Sequence, residues 1–140
     1  MDEENLSEAF WAVARQLRHR SRVALEPWDL SPSLARALAV LERHGDMRLS
    51  ALADHLRIAP RTATEVADDL QRLGLAERRP DPDDRRAVRV ALTAEGTRTG
   101  KDIQQARQAE SAGFFAALDP ADRDDLARVL RKLREATEMD

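Results

Sequence analysis

The chain has 140 residues, a length suited to one domain, with 42% hydrophobic residues, 35% charged residues and a formal net charge of −3. It contains no cysteine, which excludes disulfides, thiolate nucleophiles and cysteine metal sites. It has no apolar run near the roughly 20 residues of a membrane helix and no secretory signal at its acidic start, so we expect a soluble cytoplasmic protein.

The first part of the chain predicts two helices separated by prolines. Apolar residues recur at helical spacing over residues 3–25, and Pro27 is expected to end the helix near that point. Ser31 and Pro32 are typical of a helix start, because a capping hydroxyl precedes proline in the first helical position. This second helix is expected to stop at Gly45.

The middle of the chain predicts a short helix, a tight turn and a longer helix. Ser50 is expected to cap the short helix, in which Leu52 and Leu56 lie four residues apart. The longer helix is expected over about residues 60–73, with an apolar stripe of Ala63, Val66, Ala67, Leu70 and Leu73. At about 100° per residue, its opposite face carries Arg61, Thr64, Glu65 and Asp68.

Two strands and two further helices are predicted after this. Strand-like pieces lie at residues 75–79 and 87–92, and the sequence PDPDD between them predicts the turn of a small hairpin. Thr93 is expected to cap a long helix that reaches about residue 118. Asp119 and Pro120 repeat the pattern of a cap followed by proline and start a last helix.

The compact middle of this order is typical of a winged helix-turn-helix, a mainly α (α+β) fold whose second helix enters the DNA major groove. Helix spacing alone would fit equally well an ordinary helical hairpin that packs for stability. The net acidity argues weakly against nucleic-acid binding, because phosphate contacts dominate such affinity. The charge is uneven, however: residues 57–93 carry eight arginines and seven acids, +1, which leaves −4 for the rest.

Two motifs in residues 49–96 point to a known family. One is the helix-turn-helix sequence LSALADHLRIAPRTATEVADDLQRLGLAERR. The other is a wing of the form D-x-R, five residues, L-T and then a Gly, which is here Asp84-Arg85-Arg86, AVRVA, Leu92-Thr93 and AEG, closing at Gly96. In motifs, element order and length, the chain resembles the MarR family of bacterial transcriptional regulators.

The resemblance implies a single domain over residues 1–140, in which 31–93 form the winged helix-turn-helix and 1–30 and 94–140 form dimerisation helices. It implies a homodimer on a pseudo-palindromic operator of double-stranded DNA, usually acting as a repressor. Recognition helices would lie in adjacent major grooves, with the wings over the flanking minor grooves. It also implies that a small-molecule effector often weakens DNA binding; no cofactor or metal is expected.

The recognition helix and the wing supply the predicted DNA contacts. Arg61, Thr62 and Thr64 lie near the helix N-terminus, where the helix dipole favours a phosphate. Many relatives have a basic residue where this chain has Glu65. Because acids repel phosphates but can accept from cytosine amino groups, the roles of Glu65 and of Asp68, on the same face, are left open.

The wing tip is predicted to reach DNA through an arginine. Arg85 or Arg86 would enter or follow a minor groove, whose negative potential favours arginine. We expect Asp84 to brace the tip by pairing with a neighbouring arginine. The alternative is that both arginines form a solvated charge cluster with the acids of the turn, Asp81, Asp83 and Asp84.

A further candidate is an effector pocket between the dimerisation helices and the DNA-binding part, formed by Trp11, Arg15, His19 and Trp28. Arg15 or Arg22 could pair with a carboxylate ligand. The alternative is that both tryptophans only pack in the core and the dimer interface. The three histidines lack metal-ligand spacing, so they are expected at the surface or at helix ends rather than in a metal site.

No motif indicates catalysis, since the serines lack a G-x-S-x-G context and the five glycines form neither a P-loop nor a dinucleotide fingerprint. The predicted function is a dimeric, sequence-specific DNA-binding regulator, a repressor relieved by a small molecule, and not an enzyme. The alternative is a winged-helix module that binds other proteins and no DNA.

Overall fold

The structure, a computed structural model, describes residues 3–138, with side chains from residue 5 onward. The first two and last two residues of the predicted domain lie outside the described residues. The elements are α1 (Glu3–Leu25), a 3-10 turn (Glu26–Trp28), α2 (Pro32–His44), β1 (Met47–Arg48), α3 (Leu49–Leu56), α4 (Pro60–Arg72), β2 (Ala76–Pro80), β3 (Val88–Leu92), α5 (Ala94–Phe115) and α6 (Pro120–Glu138). This order confirms the predicted mainly α class with a small hairpin.

Short-range capping signals start three of the helices, as expected from sequence. The Oγ of Ser31 accepts from the N–H of Leu34 at 3.3 Å and starts α2. The Oδ1 of Asp119 accepts from the N–H of Asp122 at 2.8 Å and starts α6. The Oγ1 of Thr93 accepts from the N–H of Gly96 at 3.0 Å, at the start of α5.

The predicted cap at Ser50 is wrong. Helix α3 begins at Leu49, and its N-cap residue is Arg48, two residues before the predicted cap, with no capping bond from its side chain. The reason is the two-residue strand β1, which was not predicted. Met47 and Arg48 pair with residues of β3, so an extended strand leads directly into the helix.

The sheet contains three antiparallel strands in the order β1-β3-β2. The hairpin is in the predicted place, with Ala76 opposite Leu92 at one end and Pro80 opposite Val88 at the other. The predicted strands are displaced by one residue at three of their four ends. Residues 81–87 connect the two strands and form the wing, and most of them are exposed.

Two compact units are distinguished, one formed by residues up to Arg20 with those from Gln108 onward, the other by Ser21–Arg107. The second unit contains the helix-turn-helix, the sheet and the buried core. Its largest fully buried side chains are Leu38, Leu52, Leu70 and Val90. The predicted boundaries of the dimerisation helices stay a prediction.

The first unit is built from the outer parts of α1, α5 and α6 and buries little. No residue of Pro120–Glu138, the described length of α6, is buried. Large apolar side chains of this unit face outward, namely Leu6, Phe10, Trp11, Val13, Val129 and Leu133. Among the described helices, none has both the length and the hydropathy that crossing a lipid bilayer requires.

Candidate nucleic-acid interface

Helix α4 presents a polar face to solvent, as its periodicity predicts. Its buried side is formed by Ala63, Val66, Ala67 and Leu70. Arg61, Thr62, Thr64 and Glu65 are all exposed. The Oγ1 of Thr64 donates to the carbonyl oxygen of Pro60 at 3.1 Å, which holds that side chain against the first turn. The three predicted contacts therefore lie together on the exposed first turns of the helix.

The turn between α3 and α4 is held in one conformation by hydrogen bonds at the end of α3. Arg57 has φ 54° and ψ 49°, a left-handed conformation in which its N–H donates to the carbonyl oxygens of Ala53 and Asp54. Ile58 donates to the carbonyl oxygen of Ala53 at 3.1 Å and packs on the core. From α2, the Nη2 of Arg36 donates to the last carbonyl of α3 at 3.0 Å. These bonds fix the position of the first turn of α4.

The start of α4 is suited to an anion. Ala59 occupies the N-cap position and has no side chain that could cap the helix, and Pro60 follows in the first turn. The first N–H groups of a helix carry a partial positive charge and need partners. A phosphate at this end would meet those groups together with Arg61.

The two acids of the exposed face of α4 differ in their surroundings. Asp68 forms an ion pair with the Nη2 of Arg78 at 2.5 Å, and Arg78 also donates to Gln71. The negative charge of Asp68 is therefore balanced by a residue of β2. Glu65 takes part in none of the ion pairs found over residues 5–138.

The wing is organised by a buried carboxylate, that of Asp81, which is only 3% exposed. Its Oδ2 accepts from the Nε of Arg48 at 2.8 Å and the Nε of Arg89 at 2.9 Å. Its Oδ1 accepts from the backbone N–H groups of Asp83 at 2.8 Å and Asp84 at 3.2 Å. The Arg48 and Arg89 guanidinium groups and the Asp83 N–H hold the pKa of the Asp81 carboxyl well below its usual range.

The predicted pairing of Asp84 with an arginine is not what the structure contains. Its Oδ1 accepts from the backbone N–H of Arg86 at 2.9 Å, and no ion pair of the described residues includes it. The short side chain of Asp84 turns back on its own loop, as aspartate commonly does in turns. Among the acids of the turn, the one that pairs with arginines is Asp81, which the alternative interpretation had placed in a solvated charge cluster.

Asp81 was missed because its partners are distant in sequence. An aspartate at the first position of a turn commonly accepts from backbone groups two and three residues later, so its contacts with the turn were visible locally. Arg48, however, is 33 residues away. The two arginines at the wing tip, Arg85 and Arg86, are exposed and enter no ion pair of the described residues.

The residues of the predicted effector pocket are in different units. Trp11, Arg15 and His19 follow one another at four-residue intervals on α1 and are all exposed, and the ring of Trp11 meets that of Phe10 edge to face at 6.3 Å. Trp28 is half-buried and packs against the core of the second unit. For Trp28, this agrees with the alternative interpretation, in which the tryptophans only pack in the core and the dimer interface. The effector pocket stays a prediction.

Two of the histidines lie together. The rings of His44 and His55, at the ends of α2 and α3, stack with centroids 4.4 Å apart. His19 is exposed on α1. No group of three or more His, Cys, Asp or Glu residues suited to a metal ion occurs within the part of the chain that the structure describes.

Comparisons with known proteins agree with this geometry. A model of the MarR family matches residues 30–88. An HTH-type transcriptional regulator of Mycobacterium tuberculosis is 34% identical over 122 residues, which are 87% of this chain and 82% of that protein. The HTH-type transcriptional repressor MdtR of Bacillus subtilis is 26% identical over 129 residues, 92% of this chain and 83% of that protein. A solved MarR family protein from Bacillus stearothermophilus is 26% identical, with 99% of each chain covered and a TM-score of 0.85.

Proposed function

Because this chain belongs to the MarR family of DNA-binding transcriptional regulators, we propose that it is a homodimeric repressor of a pseudo-palindromic operator, relieved by a small-molecule effector. The observation that carries the proposal is the pair of exposed elements in the second unit that present arginines without an acidic partner. One is the first turn of α4 with Arg61, and the other is the wing tip with Arg85 and Arg86. None of these three arginines is engaged by an acid among the described residues.

Dimerisation is supported by the outward-facing apolar side chains of the first unit. Leu6 is 62% exposed, Trp11 57% and Leu133 54%. Clustered exposed hydrophobic residues of this size mark interaction surfaces. A second copy would cover them symmetrically, and the two-fold axis would place two recognition helices on two half-sites of one operator.

Recognition would divide between α4 and the wing. Arg61, Thr62 and Thr64 would contact DNA at the major groove, with the start of α4 near a phosphate. Arg85 or Arg86 would reach the adjacent minor groove. Repression is supported by the similarity to MdtR, which is a transcriptional repressor. An operator-binding role would place the protein with the chromosome in the bacterial cytoplasm.

For the effector, the supporting feature is the exposed row of Trp11, Arg15 and His19 on α1. An aromatic ring next to a guanidinium group suits a flat carboxylate, since arginine binds carboxylates through two parallel hydrogen bonds and aromatic rings stack. Ligand binding that favours a dimer geometry unsuited to the operator would release the DNA.

The experiment is a capture of genomic fragments on the immobilised protein, followed by fluorescence anisotropy with the recovered sequence. We expect binding that exceeds that of a scrambled duplex by about 10³-fold or more and that weakens steeply with salt. Equal affinity for the scrambled duplex would overturn sequence-specific regulation. A stable dimer that binds no DNA at low salt would support the protein-binding module instead.

A further inference from the structure

The two oxygen atoms of the Asp81 carboxylate serve two different parts of the wing. Oδ1 closes the turn at the tip, because it accepts from the N–H groups of Asp83 and Asp84. Oδ2 holds side chains of the two other strands, Arg48 on β1 and Arg89 on β3. A single buried group therefore connects the tip, which carries Arg85 and Arg86, with the sheet below it.

The arginines of this arrangement stand side by side across the sheet. Arg48 is opposite Arg89, and Arg89 is opposite Arg79 on its other side, so three positive side chains form one row over three strands. Like charges directly opposite each other on neighbouring strands are destabilising. Asp81 pairs with the first two and offsets part of their charge, and Glu77 pairs with Arg79 at 2.5 Å. Without the buried carboxylate, the row would repel itself.

Arg48 also connects the wing with the helix-turn-helix. It is the last residue of β1 and the N-cap residue of α3, the first helix of that motif. Only two residue pairs connect β1 with β3, so backbone pairing contributes little to the attachment of β1 to the sheet. The bond between Arg48 and Asp81 therefore adds a charge-assisted connection between the start of the motif and the wing tip.

We propose that Asp81 and Arg48 are positioning residues, which fix the wing tip relative to the recognition helix α4 and so raise operator affinity without contacting DNA themselves. The inference rests on the proposed DNA-binding function. An ordered tip meets the groove with less loss of conformational entropy than a mobile one. The effect of Arg48 on operator affinity should then depend on the presence of the arginines at the wing tip.

This dependence makes a double-mutant cycle the decisive test. Operator affinity is measured by fluorescence anisotropy at 25 °C for the wild type, Arg48→Gln, Arg86→Ala and the double variant. We expect Arg48→Gln to weaken binding by between about threefold and tenfold in the wild type and by less than about twofold when Arg86 is already Ala. Arg128→Gln, which breaks an exposed ion pair on α6, is the matched control and should leave affinity unchanged.

Every outcome of the cycle either supports or overturns the positioning role of Arg48. The same loss from Arg48→Gln in both backgrounds would mean that Arg48 contacts phosphate directly, and no loss would mean that the bond has no part in binding; either overturns the inference. Circular dichroism at 25 °C must first show that Arg48→Gln and the double variant are folded. A loss of affinity in Arg48→Gln then cannot be caused by unfolding of the protein. If Asp81→Asn, a second variant expected to weaken binding, does not fold, Arg48→Gln still tests the inference, because Asp81 then keeps Arg89.

The outcome also separates this inference from the proposed function. Failure of the wild-type protein to prefer its captured operator over scrambled DNA would contradict the proposed function itself. Normal operator binding by the wild type, with additive effects of Arg48→Gln and Arg86→Ala, would contradict only the positioning role.

Discussion

Gly96 lies so close to Leu75 that a Cβ atom on Gly96 would stand 1.8 Å from the carbonyl oxygen of Leu75. The same carbonyl accepts from the N–H of Thr93 at 3.1 Å, and the Oγ1 of Thr93 donates to Gly74 at 2.7 Å. The start of α5 is thereby joined to the loop that follows the recognition helix. The glycine that closes the wing motif is therefore required for packing.

Replacing this glycine should destabilise the fold. Gly96→Ala forces backbone atoms apart, which typically costs about 1–3 kcal/mol and sometimes more, so we expect a loss of about 2–4 kcal/mol in the free energy of unfolding in urea. Gly113→Ala in the same helix is the control. Its Cβ would meet only the end of the Arg20 side chain at 3.6 Å, so a gain of roughly 0.5–1 kcal/mol is expected. Equal effects of the two changes would contradict this account.

Much of the fold follows from local signals in the sequence. The caps at Ser31, Thr93 and Asp119 depend on residues three positions away, and the hairpin depends on a proline- and aspartate-rich turn. Such contacts are short in sequence and appear in the residue pattern. The apolar stripe predicted for α4 is likewise confirmed at Ala63, Val66, Ala67 and Leu70. It is wrong at Leu73, which follows the last helical residue and is 47% exposed.

What could not be predicted depends on contacts between distant residues. Strand β1 has two residues and is too short for a periodic pattern, and it exists because β3 pairs with it. The same pairing moved the start of α3 away from Ser50. The position of Asp81 between Arg48 and Arg89 also requires the folded sheet, so the sequence alone could not distinguish it from Asp84.

The left-handed residue in the turn before α4 predicts a stabilising substitution. Arg57 has φ 54°, a conformation that costs a residue with a side chain roughly 1–2 kcal/mol. Arg57→Gly should therefore raise the free energy of unfolding by about 0.5–1 kcal/mol. Asp29 has φ 50°, but aspartate tolerates this conformation better, so Asp29→Gly should gain less. Urea denaturation of the two variants that gave the reverse order would refute this.

Asp81 should make stability depend on acid pH. Its pKa is lowered in the folded protein, so its contribution is complete above the unfolded value of about 4 and is lost as the pH falls toward the folded value. At pH 7, we expect Asp81→Asn to be less stable than the wild type, because it leaves Arg48 and Arg89 without their carboxylate. The difference should shrink as the pH falls below about 4. Thermal melts at a series of pH values measure it, and a constant difference would contradict the ion pairs.

Glu65 should discriminate against DNA that lacks the operator. It is exposed on the recognition face without an ion pair among the described residues, so it repels phosphates unless a base donates to it. Glu65→Gln should strengthen binding to a scrambled duplex several-fold and reduce the ratio of operator to scrambled affinity. Glu135→Gln, on the exposed surface of α6, removes the same charge elsewhere. An unchanged ratio of affinities for Glu65→Gln would exclude the role.

The acids of the wing tip allow a test of whether the removal of a negative charge strengthens or weakens operator binding. Asp84 orders the tip through its bond to the N–H of Arg86, whereas the side chain of Asp83 makes no hydrogen bond or ion pair among the described residues. If the acids only repelled DNA, both Asp83→Ala and Asp84→Ala would strengthen operator binding, because each removes one negative charge. We expect Asp83→Ala to strengthen binding or leave it unchanged and Asp84→Ala to weaken it, since a mobile tip must be ordered on the DNA.

The two variants are compared by fluorescence anisotropy at two salt concentrations, after circular dichroism shows that both are folded. Because they differ in charge from the wild type by the same amount at adjacent positions, salt-dependent repulsion affects them equally. An opposite sign of the two changes can then arise only from the order of the tip. If Asp84→Ala binds the operator as tightly as Asp83→Ala, the bond between Asp84 and the backbone of Arg86 has no part in DNA recognition.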